Sequence, residues 1–277
     1  MYTRDNMPNT DPEINSRLDF ARRAAEGARS VIMRHFAAGG AGVRFQTKPD
    51  GSPVTVADVG AEELVRDLIG REWSDDGVIG EECGQTDGSS EYRWVIDPID
   101  GTKSYIHGVP LFGTLIGVQR REGSVWVSVA GIAAFPALNE SVWAARGGGA
   151  WHLGPDGEVR RAGVSRATAL ADSTVSVTSP RGMLEEPNKA FYLRLNSRVK
   201  LSRGWSDCYG TMLVATGRIE AMIDPPMKLW DVCALEPIVI EAGGKLTGWD
   251  GMPTEGPTGA VASNGLVHDE IISLIRS

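Results

Sequence analysis

The chain has 277 residues, 42% apolar and 23% charged, enough to bury one large core or two. Its formal charge of −8 argues against nonspecific nucleic-acid or anionic-membrane binding, where a basic surface is expected, but not against an anionic substrate carried by a bound cation. Cys83, Cys208 and Cys233 are too few and too scattered for a disulfide framework or a zinc site, so a reducing cytoplasm is expected.

Residues 1–13 are polar, contain Pro8 and Pro12, lack an apolar signal core, and read as a disordered leader. No apolar run is long enough to span a membrane, and no internal repeat is visible. Leu18, Ala21, Ala25, Ala28, Ile32 and Phe36 fall at helical spacing and predict a helix over 14–36, ended by Gly39-Gly40. A short strand is expected at 43–45, followed by the turn cluster 48–53. A second helix over 57–72 buries Ala61, Leu64, Val65, Leu68 and Ile69. Asp58 lies in its first turn, where the helix dipole favours a carboxylate, and by itself it reads as a helix-start residue.

The apolar stretch 78–80 predicts a strand that ends in Glu81-Glu82, like charges that repel unless a cation or solvent relieves them. The next strand runs through Trp94-Val95-Ile96 into Asp97-Pro98-Ile99-Asp100-Gly101-Thr102-Lys103. Two aspartates at a strand end can hold a hard cation, which prefers oxygen ligands. A glycine turn before a short helix at 103–106 leaves backbone N–H groups facing an anion. Metal ligands beside an anion cradle point to phosphate chemistry. Asp-Pro and Asp-Gly are also common turn dipeptides, so this stretch alone reads equally well as a structural turn.

Residues 111–119, 125–135 and 140–145 read as strands, and Arg146-Gly147-Gly148-Gly149 as a turn without a nucleotide-loop pattern. Strands at 175–178, 199–201, 221–224, 245–247 and 260–262 then alternate with helices at 188–196, 207–216, 234–242 and 268–276. The expected division is an α+β domain over 14–148 with an antiparallel sheet and an α/β domain over 149–277.

Four stretches in order, Gly80-Glu81-Glu82, Asp97-Pro98-Ile99-Asp100-Gly101-Thr102, Trp230-Asp231 and Glu241-Ala242-Gly243-Gly244, resemble the signature of the inositol monophosphatase family. Pro53-Val54-Thr55-Val56-Ala57-Asp58 is similar to the family's pattern ahead of the metal site. Lys103 and Ser206-Asp207-Cys208-Tyr209-Gly210 look more like the histidinol-phosphatase branch than the inositol enzymes. The chain departs from its relatives at Asp224, where they carry Glu, and at Trp205, where many carry Gly.

The resemblance implies a layered αβαβα sandwich and a Mg²⁺-dependent phosphomonoesterase acting on a small phosphate ester, without nucleic-acid or membrane partners and commonly homodimeric. It implies that Glu81, Asp97 and the Ile99 carbonyl hold one Mg²⁺ and that Asp97, Asp100 and Asp231 hold a second, with a third, weaker ion near Glu81. Thr102 and Glu81 then orient the attacking water, Asp58 accepts the Thr102 proton, and the N–H groups of Gly101 and Thr102 carry the phosphate. Asp207, Asp224 and Asp231 line the alcohol side, where an ammonium-bearing substrate such as histidinol phosphate fits. The alternatives are an inositol-1-phosphate or broad sugar-phosphate phosphatase, and a catalytically silent metal-binding regulatory protein. Against a need for up to ~10²¹-fold acceleration, one general base supplies only ~10²–10⁴-fold, so cations on the developing charge are required.

Overall fold

Alternating burial along two sheets sets the architecture. The computed structural model describes residues 11–36, 43–254 and 259–277. Most of the expected leader and the Gly39-Gly40 helix stop therefore lie outside the described residues. Residues 11–13, read as leader, instead start the first helix. The Asp11 side chain accepts the Glu13 N–H, and Pro12, whose missing N–H costs nothing there, opens α1 (Pro12–His35).

A small antiparallel hairpin, β1 (Gln46–Thr47) and β2 (Pro53–Val54), brackets the predicted turn, so the strand expected at 43–45 begins later. Helix α2 (Val56–Glu72) follows, started by a capping box in which Thr55 and Asp58 serve each other's backbone N–H. Next come β3 (Gly77–Gly80), β4 (Gly84–Thr86), β5 (Tyr92–Asp100), the short helix α3 (Thr102–Ile106), β6 (Gly113–Glu122), β7 (Val125–Phe135), β8 (Glu140–Ala145), β9 (Gly149–Leu153) and β10 (Val159–Arg161). These strands form an eight-stranded sheet in the order β10-β9-β8-β7-β6-β5-β3-β4, antiparallel except where β3 runs parallel to β5. Because β9 and β10 continue this sheet, the expected division at 148/149 falls in the turn of a hydrogen-bonded β8–β9 hairpin.

The remaining strands, β11 (Thr174–Val177), β12 (Leu201–Arg203), β13 (Ala221–Pro226), β14 (Lys245–Gly248) and β15 (Gly259–Ser263), form a five-stranded mixed sheet in the order β12-β11-β13-β15-β14. Around them lie α4 (Pro180–Met183), α5 (Asn188–Asn196), α6 (Asp207–Ala215), α7 (Leu229–Val232), α8 (Leu235–Glu241) and α9 (His268–Arg276).

Period-2 alternation assigns each face. Ala130 and Ile132 of β7 pack with α1 and α2, whereas Ala133 and Phe135 face α6 and α8. On β13, Met222 joins that same middle layer, and Ala221 and Ile223 turn to α5 and α9. The result is helix pair, sheet, helix pair, sheet, helices: the expected αβαβα sandwich.

Two glycines set the spacing that matters for the site. A Cβ on Gly117 would fall 2.5 Å from Cys233 Sγ, and one on Gly131 would fall 2.3 Å from the Ala234 carbonyl oxygen. Their bare backbones let the chain just before α8 lie directly on the first sheet, which carries the preceding turn, α7, to the end of β5. The Glu241 carboxylate, in the last turn of α8, accepts the Gly147 and Gly149 N–H groups, both at 2.7 Å, and so anchors the glycine-rich turn. Substituting Gly131→Ala should lower stability by about 1–3 kcal/mol through overpacking, read as a reduced denaturant midpoint at unchanged m-value.

Candidate active site

Asp97 and Asp100 stand three apart, which on a regular strand points them to opposite faces. The pairing shows why they do not diverge here. Asp97 lies opposite Leu115 and Asp100 opposite Gly113, so β5 carries one extra residue, a bulge over Pro98-Ile99. Both carboxylates then point the same way. Asp231, in the first turn of α7, arrives from the other half of the chain, and one carboxylate oxygen from each of Asp97, Asp100 and Asp231 lies within 4.8 Å of the others.

Each of the three is held by backbone. Asp97 Oδ1 accepts the Ile99 N–H at 3.0 Å, Asp100 Oδ2 the Cys208 N–H at 2.6 Å, and Asp231 Oδ2 the Lys228 N–H at 2.6 Å. Crowded carboxylates fit a hard divalent cation, which prefers oxygen ligands and offsets their repulsion. The Ile99 carbonyl accepts the Thr102 hydroxyl at 3.0 Å and keeps a second lone pair.

Glu81 comes next to the cluster because β3 pairs parallel with β5, Gly80 opposite Ile96, and the Glu81 N–H donates to the Ile96 carbonyl at 3.2 Å. Its carboxylate accepts the Lys48 ammonium at 2.8 Å, and the same ammonium donates to Glu82 at 2.7 Å. The paired glutamates are thus relieved by a lysine from the β1–β2 turn, a partner that sequence reading did not foresee. The relay implied from Thr102 to Asp58 is arranged differently: Thr102 donates to Ile99, and Asp58 Oδ2 accepts the Thr55 N–H at 2.8 Å and the Thr55 hydroxyl at 2.5 Å.

Gly101, at φ +84°, makes the left-handed turn into α3, and no side chain caps that helix. A Cβ on Gly101 would lie 3.0 Å from Asp207 Oδ2, which places the Asp207 carboxylate at this turn. Asp207 opens α6 and accepts the Ser206 hydroxyl. Ser206 in turn shares a 2.9 Å hydrogen bond with Ser104 of α3. Asp224 differs from its expected role as an open wall, being 4% exposed with one oxygen taken by the Thr178 hydroxyl. The histidines fall elsewhere: His152 near Glu140, and His268 between the hydroxyls of Thr247 and Ser263. Reading by residue pattern also passed over Glu62, although a glutamate on the buried stripe of α2 is itself an available signal.

The profile of the inositol monophosphatase family matches residues 13–277. A histidinol-phosphatase of Streptomyces coelicolor is 37% identical over 265 residues, covering 96% of this chain and 98% of that protein. One from Chlorobaculum parvum is 41% identical over 227 residues, covering 82% and 83%. A third, from Mycobacterium tuberculosis, is 38% identical over 237 residues, covering 85% and 89%. Among solved structures, an IMPase of Thermotoga maritima superposes with a TM-score of 0.82 at 28% identity, over 94% of this chain and 97% of that one.

Charge is the cluster's outstanding feature. Burial, then the neighbouring Glu81, Asp100 and Asp231, drive the Asp97 carboxyl well above the usual range. Burial and then Asp207 and Asp231 do the same to Asp100. Burial lifts Asp231 and Asp58 to about 6 and Asp224 to about 8. Each of these groups holds its proton in the folded state over a range in which the unfolded chain, titrating near 3.8, has released it. More protons bound in the native state means stability falls as pH rises. The metal-free protein should therefore lose thermal stability steadily from about pH 4 to pH 8, and Mg²⁺ should restore most of it at pH 8, as read by Tm with and without the ion.

Proposed function

The chain belongs to the inositol monophosphatase family, and from that premise we propose that it hydrolyses L-histidinol phosphate to L-histidinol and phosphate. Phosphoric monoester hydrolysis is the activity of the family, whose enzymes are generally metal-dependent. The observation that carries the substrate reading is the 37–41% identity to histidinol-phosphatases over most of the chain. Asp207 at the turn into α3 supports it, because a carboxylate there suits a substrate bearing an ammonium group beside its phosphate.

Glu81, Asp97, the Ile99 carbonyl, Asp100 and Asp231 would hold two Mg²⁺ ions, with a third, weaker one near Glu81. Bound there, the ions would acidify a water and neutralise charge on the phosphate and leaving oxygen. The chain's own groups do the positioning. The N–H groups of Gly101 and Thr102, unused by the first turn of α3, receive phosphate oxygens. Glu81 and the Thr102 hydroxyl aim the water at phosphorus. As its oxygen bonds to phosphorus the water gives up a proton to solvent, the ester P–O bond breaks, and the departing alkoxide takes a proton from solvent to become the alcohol. Asp58 fixes the start of α2, and its acceptor role toward Thr102 requires that hydroxyl to leave Ile99. Asp207 meets the substrate ammonium, and Asp224 lies buried beneath the Thr178 hydroxyl. A cytoplasmic homodimer completes the reading, on the strength of family resemblance.

Removing one carboxylate charge of the cluster by Asp97→Asn should lower kcat/KM by more than about 10²-fold, measured as phosphate release with saturating Mg²⁺. Asp207→Asn should raise KM for histidinol phosphate about tenfold while changing turnover of an amine-free phosphate ester little, since a charge-assisted hydrogen bond is worth ~1.5–3 kcal/mol. A wild-type protein that prefers inositol 1-phosphate to histidinol phosphate would overturn the substrate assignment.

A further inference from the structure

Glu62 is a fully buried carboxylate in the middle of α2, one turn beyond Asp58, and none of the roles above uses it. Its Oε2 accepts the Glu82 N–H at 2.7 Å, and its Oε1 accepts the Cys83 N–H at 3.1 Å and Arg66 Nε at 2.7 Å. Arg66 extends the contact by donating to the Gly84 carbonyl and, at 3.3 Å, to the Thr86 hydroxyl. Gly80 closes the other side. A Cβ there would fall 1.9 Å from Glu62 Oε1, so the carboxylate fills the space a side chain would need. The backbone from Gly80 to Gly84 is thus wrapped around one carboxylate, and Glu81 is the residue at the head of that wrap.

We infer that Glu62, clamped by Arg66, is the positioning residue that fixes Glu81 for metal binding. Two contacts act on the Glu81 side chain. Lys48 draws it toward the rim, and a hydrogen bond between its carboxyl group and that of Asp97 holds it toward the cluster. Both act on the far end of a flexible side chain, so the backbone that carries it must be held from behind. A buried ion pair is a poor source of net stability compared with apolar packing, but it imposes geometry, and two N–H donors on one carboxylate fix the orientation of both peptide planes. Partners of this kind, one layer behind a metal ligand, typically cost 10–100-fold in metal affinity when removed.

This inference rests on the proposed ligand role of Glu81, and the experiment separates the two. Mg²⁺ binding to the full-length protein is measured by calorimetry, with no substrate present, for wild type, Glu62→Gln, Glu81→Gln and the double variant. Amide hydrogen exchange at Glu82 and Cys83 is followed in parallel. Glu62→Gln keeps the shape but cannot accept all three donors. It should weaken Mg²⁺ binding about tenfold or more and speed exchange at those two amides. In the Glu81→Gln background it should add little, because the two residues act on one ligand. If Glu62→Gln does not fold, Arg66→Met loosens the same clamp from its solvent side and should shift Mg²⁺ affinity in the same direction. Wild-type Mg²⁺ affinity in the folded clamp variant, or an undiminished loss in the Glu81→Gln background, overturns the positioning role while leaving Glu81 a ligand. Wild-type affinity in Glu81→Gln itself overturns both.

Discussion

Carboxylates that repel one another, gathered where little water reaches them, are the constraint on which this molecule turns. Asp97, 1% exposed, shares one small volume with Asp100 and Asp231, and Glu81 stands alongside. Gathering like charges costs folding free energy at neutral pH, and the raised pKa values of these acids record that cost. Such a site is tolerable when a divalent cation occupies it. In the proposed reading, the same concentration of charge that weakens the metal-free fold would draw in the cation.

The scaffold spends its least adaptable features on bringing those acids together. A one-residue bulge turns Asp100 onto the face of Asp97. Parallel pairing of β3 with β5, the exception in an otherwise antiparallel sheet, brings the end of β3 beside the end of β5 and so delivers Glu81. Bare glycine backbones at positions 117 and 131 let the chain before α8 lie flat on the sheet, which seats Asp231. None of these is a large contribution to stability. Each instead removes an alternative position for a carboxylate.

Around the cluster, charge is managed at two depths. At the rim Lys48 neutralises Glu81 and Glu82 from a short hairpin, where partial exposure to solvent screens the pair. Behind the rim the fully buried Glu62 carboxylate holds the backbone of the same turn, and Arg66 closes it from the solvent side. The proposed alcohol side shows a similar division. Asp207 stands at the turn into α3, whereas Asp224 is withdrawn under Thr178.

Much of this was legible in the chain itself. Helical and alternating periodicities placed α1, α2 and most strands of both sheets, because burial on one face leaves a period in the sequence. The acids of the site were also legible, since Asp97, Asp100 and Asp231 sit in short, ordered motifs and a hard cation needs oxygen ligands. Sequence could not decide which acids face the site openly. Asp207 opens a helix and Asp224 lies within a strand, and only packing sets the first at the turn into α3 and the second beneath Thr178. Nor could it foresee that Thr102 turns to Ile99 and Asp58 to Thr55, or that Lys48 and Glu62 serve the Glu81 turn from 33 and 20 residues or so away. Local pattern reports what a residue's neighbours along the chain demand, whereas these contacts were chosen by the register of β3 on β5 and the docking of α2 and α7, which exist only once the layers have assembled.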